Sequence, residues 1–164
     1  MKRIEFGELK IGEIARQNLM DVCDTNWASG GPKVKKLETE WSKLFDYKNS
    51  TAVSSGTDGC INACLSLYDL KNAKRNVSEV AGKQGKELAH TKFKDKFVGH
   101  WGHMSVYSFY VAHLVCCGEG GMISSNDDEV AKLLFSTRSH GRPFDSIYFD
   151  HQRVGVNSKM NDLE

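Results

Sequence analysis

No stretch of this 164-residue chain is apolar for long enough to span a bilayer, it has only two prolines, and its charges nearly cancel at a formal +1. Each shortage excludes something. The first argues against a membrane helix. The small net charge argues against a surface made to bind nucleic acid in general. The opening MKRIEFGELKIGEIARQ places charges where a secretory leader needs an apolar core, so a cytoplasmic protein is expected. No internal repeat is present. What remains is the composition of an ordinary globular protein, 40% hydrophobic and 26% charged, at a length that suits one modest domain.

The five cysteines, Cys23, Cys60, Cys64, Cys116 and Cys117, are odd in number and come without a leader, which fits reduced thiols. Cys60 and Cys64 lie one helical turn apart and read as small core residues. On a strand, Cys116 and Cys117 would point to opposite sides, a poor start for a metal site. His100 and His103 have a metal-like spacing but lack a second ligand pair, so they read as structural or solvent-facing, and no metal is expected.

Ile11, Ile14, Ala15, Leu19 and Val22 recur at helical spacing. After NWASGGPKV, Pro32 suits the first turn of a second helix with Val34, Leu37, Trp41, Leu44 and Phe45 on one stripe. STAVSSG reads as a short strand entering a turn, and TDGCINACLSLYDL as the helix leaving it, an α/β unit. Residues 71–96 hold eight Lys or Arg against three acids and show no clear period, so they read as a basic joint. MSVYSFYVAHLV reads as strand, and so does GMISS. Asn126 is the expected N-cap of a helix whose first turn carries Asp127, Asp128 and Glu129. Val130, Leu133, Leu134 and Thr137 continue that helix, and RSHGRPFDS ends it at Gly141 and Pro143. NSKMNDLE reads as the opening turn of another helix.

The chemistry concentrates first in VSSGTDG, residues 53–59. Gly56 lets backbone come close to a ligand, and the helix after it offers unpaired N–H groups and a positive dipole end, a pair of features that binds phosphate or carboxylate. Many strand–helix turns contain Ser and Gly for steric reasons alone, so the turn by itself leaves both readings open.

Three further blocks, SFYVAHLVCCGEGGMISSND (108–127), RSHGR (138–142) and RVGVNSKMNDLE (153–164), follow WASGGPKVKKLETEW and SSGTDG in that order. Together they resemble the DegT/DnrJ/StrS family of pyridoxal-phosphate enzymes in nucleotide-sugar biosynthesis, over about residues 8–70 and 88–164. The resemblance implies an α/β fold: a partial large domain of the aspartate-aminotransferase type (fold type I) with a mostly parallel central sheet. It implies that residues 1–70 hold the N-terminal helices and the phosphate turn, that 71–96 replace a deleted segment, and that 97–164 are a truncated remainder, without central strands or the C-terminal small domain. It implies that Gly56, Thr57 and Ser108 hold the cofactor phosphate. It implies that Asn157 reaches the phosphate of a neighbouring subunit, so a homodimer is expected.

His113 stands five residues after Ser108, where most family members have the lysine that carries the cofactor covalently. Imidazole has no primary amine and cannot form that link, but it can accept and return a proton. SFYVAH matches the family's sugar 3-dehydratase branch, in which pyridoxamine phosphate binds non-covalently and histidine assists loss of the C3 hydroxyl from a nucleotide-linked 4-keto sugar. The resemblance therefore implies pyridoxal 5'-phosphate or pyridoxamine 5'-phosphate as cofactor. It implies glutamate as amino donor and a role in lipopolysaccharide or deoxysugar biosynthesis. A structural alternative for His113 is a buried histidine bonded to a backbone carbonyl. Glu87–His90, ELAH, loosely matches the segment that pairs with the pyridine nitrogen, with glutamate for aspartate. The alternative for the whole chain is a catalytically inactive remnant that keeps a phosphate site and a dimer surface. The cysteines do not match the spacing of the family's iron–sulfur relatives, so no cluster is expected.

Overall fold

The structure, a computed structural model, describes residues 10–70, 77–79, 91–113, 115–144 and 150–164. Helices α1 (Glu13–Thr25) and α2 (Pro32–Leu44) open the chain. Pro32 is the first helical residue of α2, as its fixed φ and missing N–H favour. Strand β1 (Asn49–Val53) leads into α3 (Gly56–Asp69). Strands β2 (Val77–Glu79), β3 (Lys92–Phe93) and β4 (Lys96–Phe97) follow, and then a short 3-10 helix, Val98–Trp101. Strands β5 (Met104–Ser108) and β6 (Gly121–Ser125) and helix α4 (Asp128–Arg138) complete the elements.

The main sheet has the order β1-β6-β5-β2. Strand β6 is antiparallel to both β1 and β5, and β2 is parallel to β5, so β1, β5 and β2 run one way and β6 alone runs against them. Period-two alternation sends Ala52, Tyr107 and Met122 to one face, where they join Val34, Trp41 and Phe45 of the α2 side. Val53, Val106 and Ile123 go to the other face and pack with Ala63, Val130 and Leu134 of α3 and α4. The sheet is thus covered on both sides, the layered arrangement of α/β proteins. None of the described helices is long and apolar enough to cross a membrane.

Several sequence-based expectations are corrected. Within the basic joint read over 71–96, the described residues include two unexpected pairings: 77–79 pair in parallel with β5, and 92–97 form a hairpin. The strand expected over MSVYSFYVAHLV stops at Ser108, because its partner β6 begins at Gly121, opposite Ser108. Cys116 and Cys117 therefore lie in a loop. Asp127, not Asn126, caps α4, accepting from the N–H groups of Glu129 and Val130, while Asn126 accepts from the N–H of Lys48. Cys64 faces solvent, although Cys60 packs against the core. His100 takes the structural one of its two expected roles: its ring stacks on Tyr47 at 4.2 Å, and Nε2 lies 2.7 Å from the carbonyl of Phe45.

The last residues are not a helix start. They run extended, with bridges from Asn157 to Ser139 and from Lys159 to Val53. Asp162 then serves the N-terminus of α2, where its carboxylate accepts from the N–H groups of Gly31 (2.8 Å), Lys33 (3.1 Å) and Val34 (3.0 Å). Those donors have no intrahelical partner, so a residue 131 positions away in sequence supplies the cap. Asp162→Ala is expected to lower stability by about 1–2 kcal/mol, the usual value of a lost cap. Urea unfolding checks this, and an unchanged midpoint would show that the carboxylate contributes nothing.

Candidate functional site

The site forms where β1 and β5 end side by side. Ser55 caps α3: its Oγ accepts from the N–H of Asp58 and donates to Asp58 Oδ2, to which the hydroxyl of Ser54 also donates at 2.7 Å. The Ser-x-x-acid spacing of SSGTD carries this cap in the sequence. Both serine hydroxyls are therefore committed to Asp58. The first bond of the helical ladder is donated by Gly59 to Ser55, which leaves the N–H groups of Gly56 and Thr57 ahead of it, at the positive end of the dipole. Thr57 is exposed, and its side chain starts on the solvent side of the turn.

Ser108 ends β5 against this turn. A Cβ placed on Gly56 would come within 2.6 Å of Ser108 Cβ and 2.8 Å of its Oγ. Gly121 passes beneath, where a Cβ would meet the carbonyl oxygen of Ser55 at 2.6 Å. Sequence reasoning missed Gly121 as a site residue. The signal available was the Gly-Gly pair at the start of GMISS, since glycine in a strand marks close backbone approach. Gly56 and Ser108 are thus in close approach, with Thr57 beside Gly56 on the exposed side of the turn. Backbone N–H groups at a helix start suit an anion in general.

Between β5 and β6 the chain makes an excursion from Phe109 to Gly120, closed by bonds from Phe109 N–H to Gly120 O (2.9 Å) and from Cys117 N–H to Phe109 O (3.0 Å). Gly118 and Gly120 take positive φ of 102° and 145°, which glycine adopts without strain. His113 sits at the near turn of this loop, with its N–H bonded to the carbonyl of Tyr110 and its ring 6.1 Å from the Tyr110 ring. Its Nδ1 is buried and has no hydrogen-bond partner among the described residues. A buried nitrogen left unpaired is costly unless something else pairs with it. Behind this loop, burial raises the thiol of Cys117 to about 12, with the carboxylates of Glu164 and Glu119 and the neighbouring Cys116 adding to the effect. That thiol is a weak nucleophile.

Asn157 is exposed, in the C-terminal segment. Its neighbour Ser158 accepts from the N–H of Ser54 at 3.0 Å, and its own Oδ1 accepts from Lys159 Nζ. Asn157 therefore lies on the strip of chain that runs beside the Ser54–Thr57 turn. Glu87–His90 lie outside the described residues, as does most of the basic joint.

The four-stranded sheet covered by helices on both faces is part of the large domain of the fold type I pyridoxal-phosphate transferases, as its structural neighbours show. The aminotransferase PseC of Helicobacter pylori, involved in the biosynthesis of pseudoaminic acid, superposes with a TM-score of 0.77 at 13% identity, covering 99% of this chain and 63% of that one. NtdA of Bacillus subtilis, solved with bound PMP, superposes at 0.69 with 17% identity, covering 99% of this chain and 55% of its own. Residues 10–77 and 88–164 match the DegT/DnrJ/EryC1/StrS aminotransferase family, and the chain belongs to that family. GDP-perosamine synthase of Escherichia coli O157:H7 is 30% identical over 107 residues, 61% of this chain and 29% of that enzyme. The chain spans less than a third of the curated relatives it matches. The family is one of sugar aminotransferases dependent on pyridoxal phosphate, and its solved structures include pyridoxal- and pyridoxamine-phosphate forms.

Proposed function

We propose that this chain is the phosphate-holding part of a sugar-modifying enzyme of the 3-dehydratase type, which uses pyridoxamine phosphate on a nucleotide-linked 4-keto sugar. The observation that supports it most is His113, with Nδ1 buried and, among the described residues, unpaired in the loop that follows Ser108. In this reading the N–H groups of Gly56 and Thr57 and the hydroxyls of Thr57 and Ser108 hold the cofactor phosphate. Asn157 adds a contact to the phosphate of a partner subunit in a homodimer. A bound cofactor would supply an electron sink for the bond cleavage. His113 accepts a proton at a ring nitrogen and returns it to the departing C3 hydroxyl. The loop from Phe109 to Gly120 holds the ring in a partly water-free position, where a proton is passed rather than lost. Glutamate would supply the amine of the pyridoxamine form.

Treatment with pyridoxal phosphate and borohydride, followed by peptide mapping, tests the role of His113. The loop from Phe109 to Gly120 contains no lysine, so the natural chain is expected to give no label there. His113→Lys is expected to give close to one label per chain at position 113, with a shift in cofactor absorbance. A lysine variant that binds the cofactor yet stays unlabelled would show that position 113 does not face it. Absence of binding of either cofactor form to the folded chain would favour the inactive remnant instead.

A further inference from the structure

We propose that the β3–β4 hairpin and Trp101 form a docking surface for an anionic lipid bilayer, on which the chain rests peripherally. The proposal is independent of the cofactor reading. It starts from the pairing within the hairpin. Lys92 stands opposite Phe97 and Phe93 opposite Lys96, and residues paired across antiparallel strands share a face. Phe97 takes the inner face, where its ring meets Phe45 edge-on at 6.1 Å and packs against the core. Period two then turns Phe93 and Lys96 outward. The two residues between the strands, Lys94 and Asp95, have φ of 50° and 61°, positive at both positions as a tight two-residue hairpin turn requires.

The outer face leaves its rings in water. Phe93 is 57% exposed, and Trp101, at the end of the 3-10 helix that follows the hairpin, is 54% exposed. Their rings lie against each other with centroids 5.7 Å apart. Lys94 Nζ stands over the Phe93 ring and Lys96 Nζ over the Trp101 ring, each at 5.4 Å, and Lys92 Nζ stands over Phe97 at 4.7 Å. Single exposed apolar side chains are ordinary on any protein. Two large aromatic rings held in contact, on a hairpin exposed at every position from 91 to 96, mark a surface that meets something.

Charge selects the partner. The hairpin carries three ammonium groups against the single carboxylate of Asp95, and among the described residues none of the three is in an ion pair. The sequence around it has the same sign, with eight Lys or Arg against three acids over 71–96. An anionic bilayer matches both halves of this surface. Aromatic rings settle at the level of the lipid headgroups, and lysines beside them reach the phosphates while their stems stay along apolar surface. Single-stranded nucleic acid also meets aromatics and lysines, but it is held in a groove that follows its backbone, and a two-stranded hairpin exposed along its length offers a tip instead.

The test is co-sedimentation of the full 164-residue chain with vesicles of phosphatidylcholine containing about three parts in ten of phosphatidylglycerol, against vesicles of phosphatidylcholine alone. Binding is expected to the anionic vesicles only, and to fade as NaCl rises from about 0.05 M to about 0.5 M. Lys92→Gln, Lys94→Gln and Lys96→Gln combined are expected to weaken it about 100-fold, roughly fivefold for each lysine. Should the combined variant unfold, Lys94→Gln and Lys96→Gln singly carry the same test at about fivefold each. Vesicles are also expected to shield tryptophan from acrylamide, and Trp101→Phe should remove that shielding while binding persists, which a purely electrostatic contact elsewhere would not do. Equal binding to both vesicle types, or unchanged binding in the lysine variants, would overturn the proposal. So would an oligothymidylate that binds through these lysines where vesicles do not, which would make this a nucleic-acid surface. A dimer that separates in Phe93→Ala with Trp101→Ala, without vesicle binding by the natural chain, would equally overturn it and assign the rings to a second copy of the chain.

Discussion

Gly56→Ala is expected to abolish measurable binding of pyridoxamine phosphate while the chain stays folded. The added Cβ would sit 2.6 Å from Ser108 Cβ and 3.2 Å from its Cα, so the start of α3 and the end of β5 must move apart. That movement separates the two backbone donors of the turn from the Ser108 hydroxyl. Each hydrogen bond to a charged phosphate contributes about 1.5–3 kcal/mol, so misplacing even two of them weakens binding by a factor of a hundred or more. The rest of α3 keeps its anchors, among them Ser55 on Asp58 and Asn62 on Ser158. The expected result is unchanged far-ultraviolet circular dichroism, a modest fall in Tm and no absorbance change on titration. Thr57→Val is a milder companion, since it removes one hydroxyl and leaves the backbone donors. If Gly56→Ala bound pyridoxamine phosphate as the natural chain does, the turn would not be the phosphate site.

Arg138→Ala is expected to have the largest effect on stability, about 3 kcal/mol, at the lower end of what breaking a buried ion pair does. The strand β1 is an edge of the sheet, and its outward backbone groups need partners. Glu38 of α2 accepts from the N–H of Ala52 at 2.9 Å, and Arg138 of α4 donates Nη1 both to Glu38 at 2.7 Å and to the carbonyl of Ala52 at 2.6 Å. The pair thus closes the edge and ties α2 to α4. Removing the guanidinium leaves the Ala52 carbonyl unpaired and Glu38 without its counter-charge. Glu38 retains 21% side-chain exposure, which softens the loss. A fall in Tm of roughly 6–12 °C follows for a domain of this size. Glu38→Gln should fall less, because the amide still accepts from Ala52. Equal stability in Arg138→Ala would show that the edge is closed by other contacts.

The legible signals in the sequence were the local ones. In SSGTD a glycine and a Ser-x-x-acid pattern act within a single helical turn and set the start of α3. Pro32 and the stripe through Val34, Trp41 and Phe45 did the same for α2. The failures all depend on partners distant in sequence. MSVYSFYVAHLV is rich in strand-forming residues throughout, but pairing with β6 stops at Ser108, and the remainder folds as the loop that holds His113. Val77–Glu79 lie in a basic stretch without periodicity, and only the free edge of β5 makes them a strand. NSKMNDLE has helix-like composition, yet pairing with Val53 and Ser139 draws it out straight. Asp162 illustrates the same limit, since its role at α2 depends on chain reversal across 131 residues.

The central claim is that the turn Ser55–Thr57, Ser108 and His113 together make a cofactor site without a covalent anchor. The most direct measurement is an absorbance titration of the purified chain with pyridoxal phosphate and with pyridoxamine phosphate, each followed by borohydride and dialysis. The account predicts saturable binding of the pyridoxamine form and, for the pyridoxal form, no label in the loop from Phe109 to Gly120. Failure of both forms to bind the folded chain, or a borohydride-fixed cofactor in that loop, would contradict it.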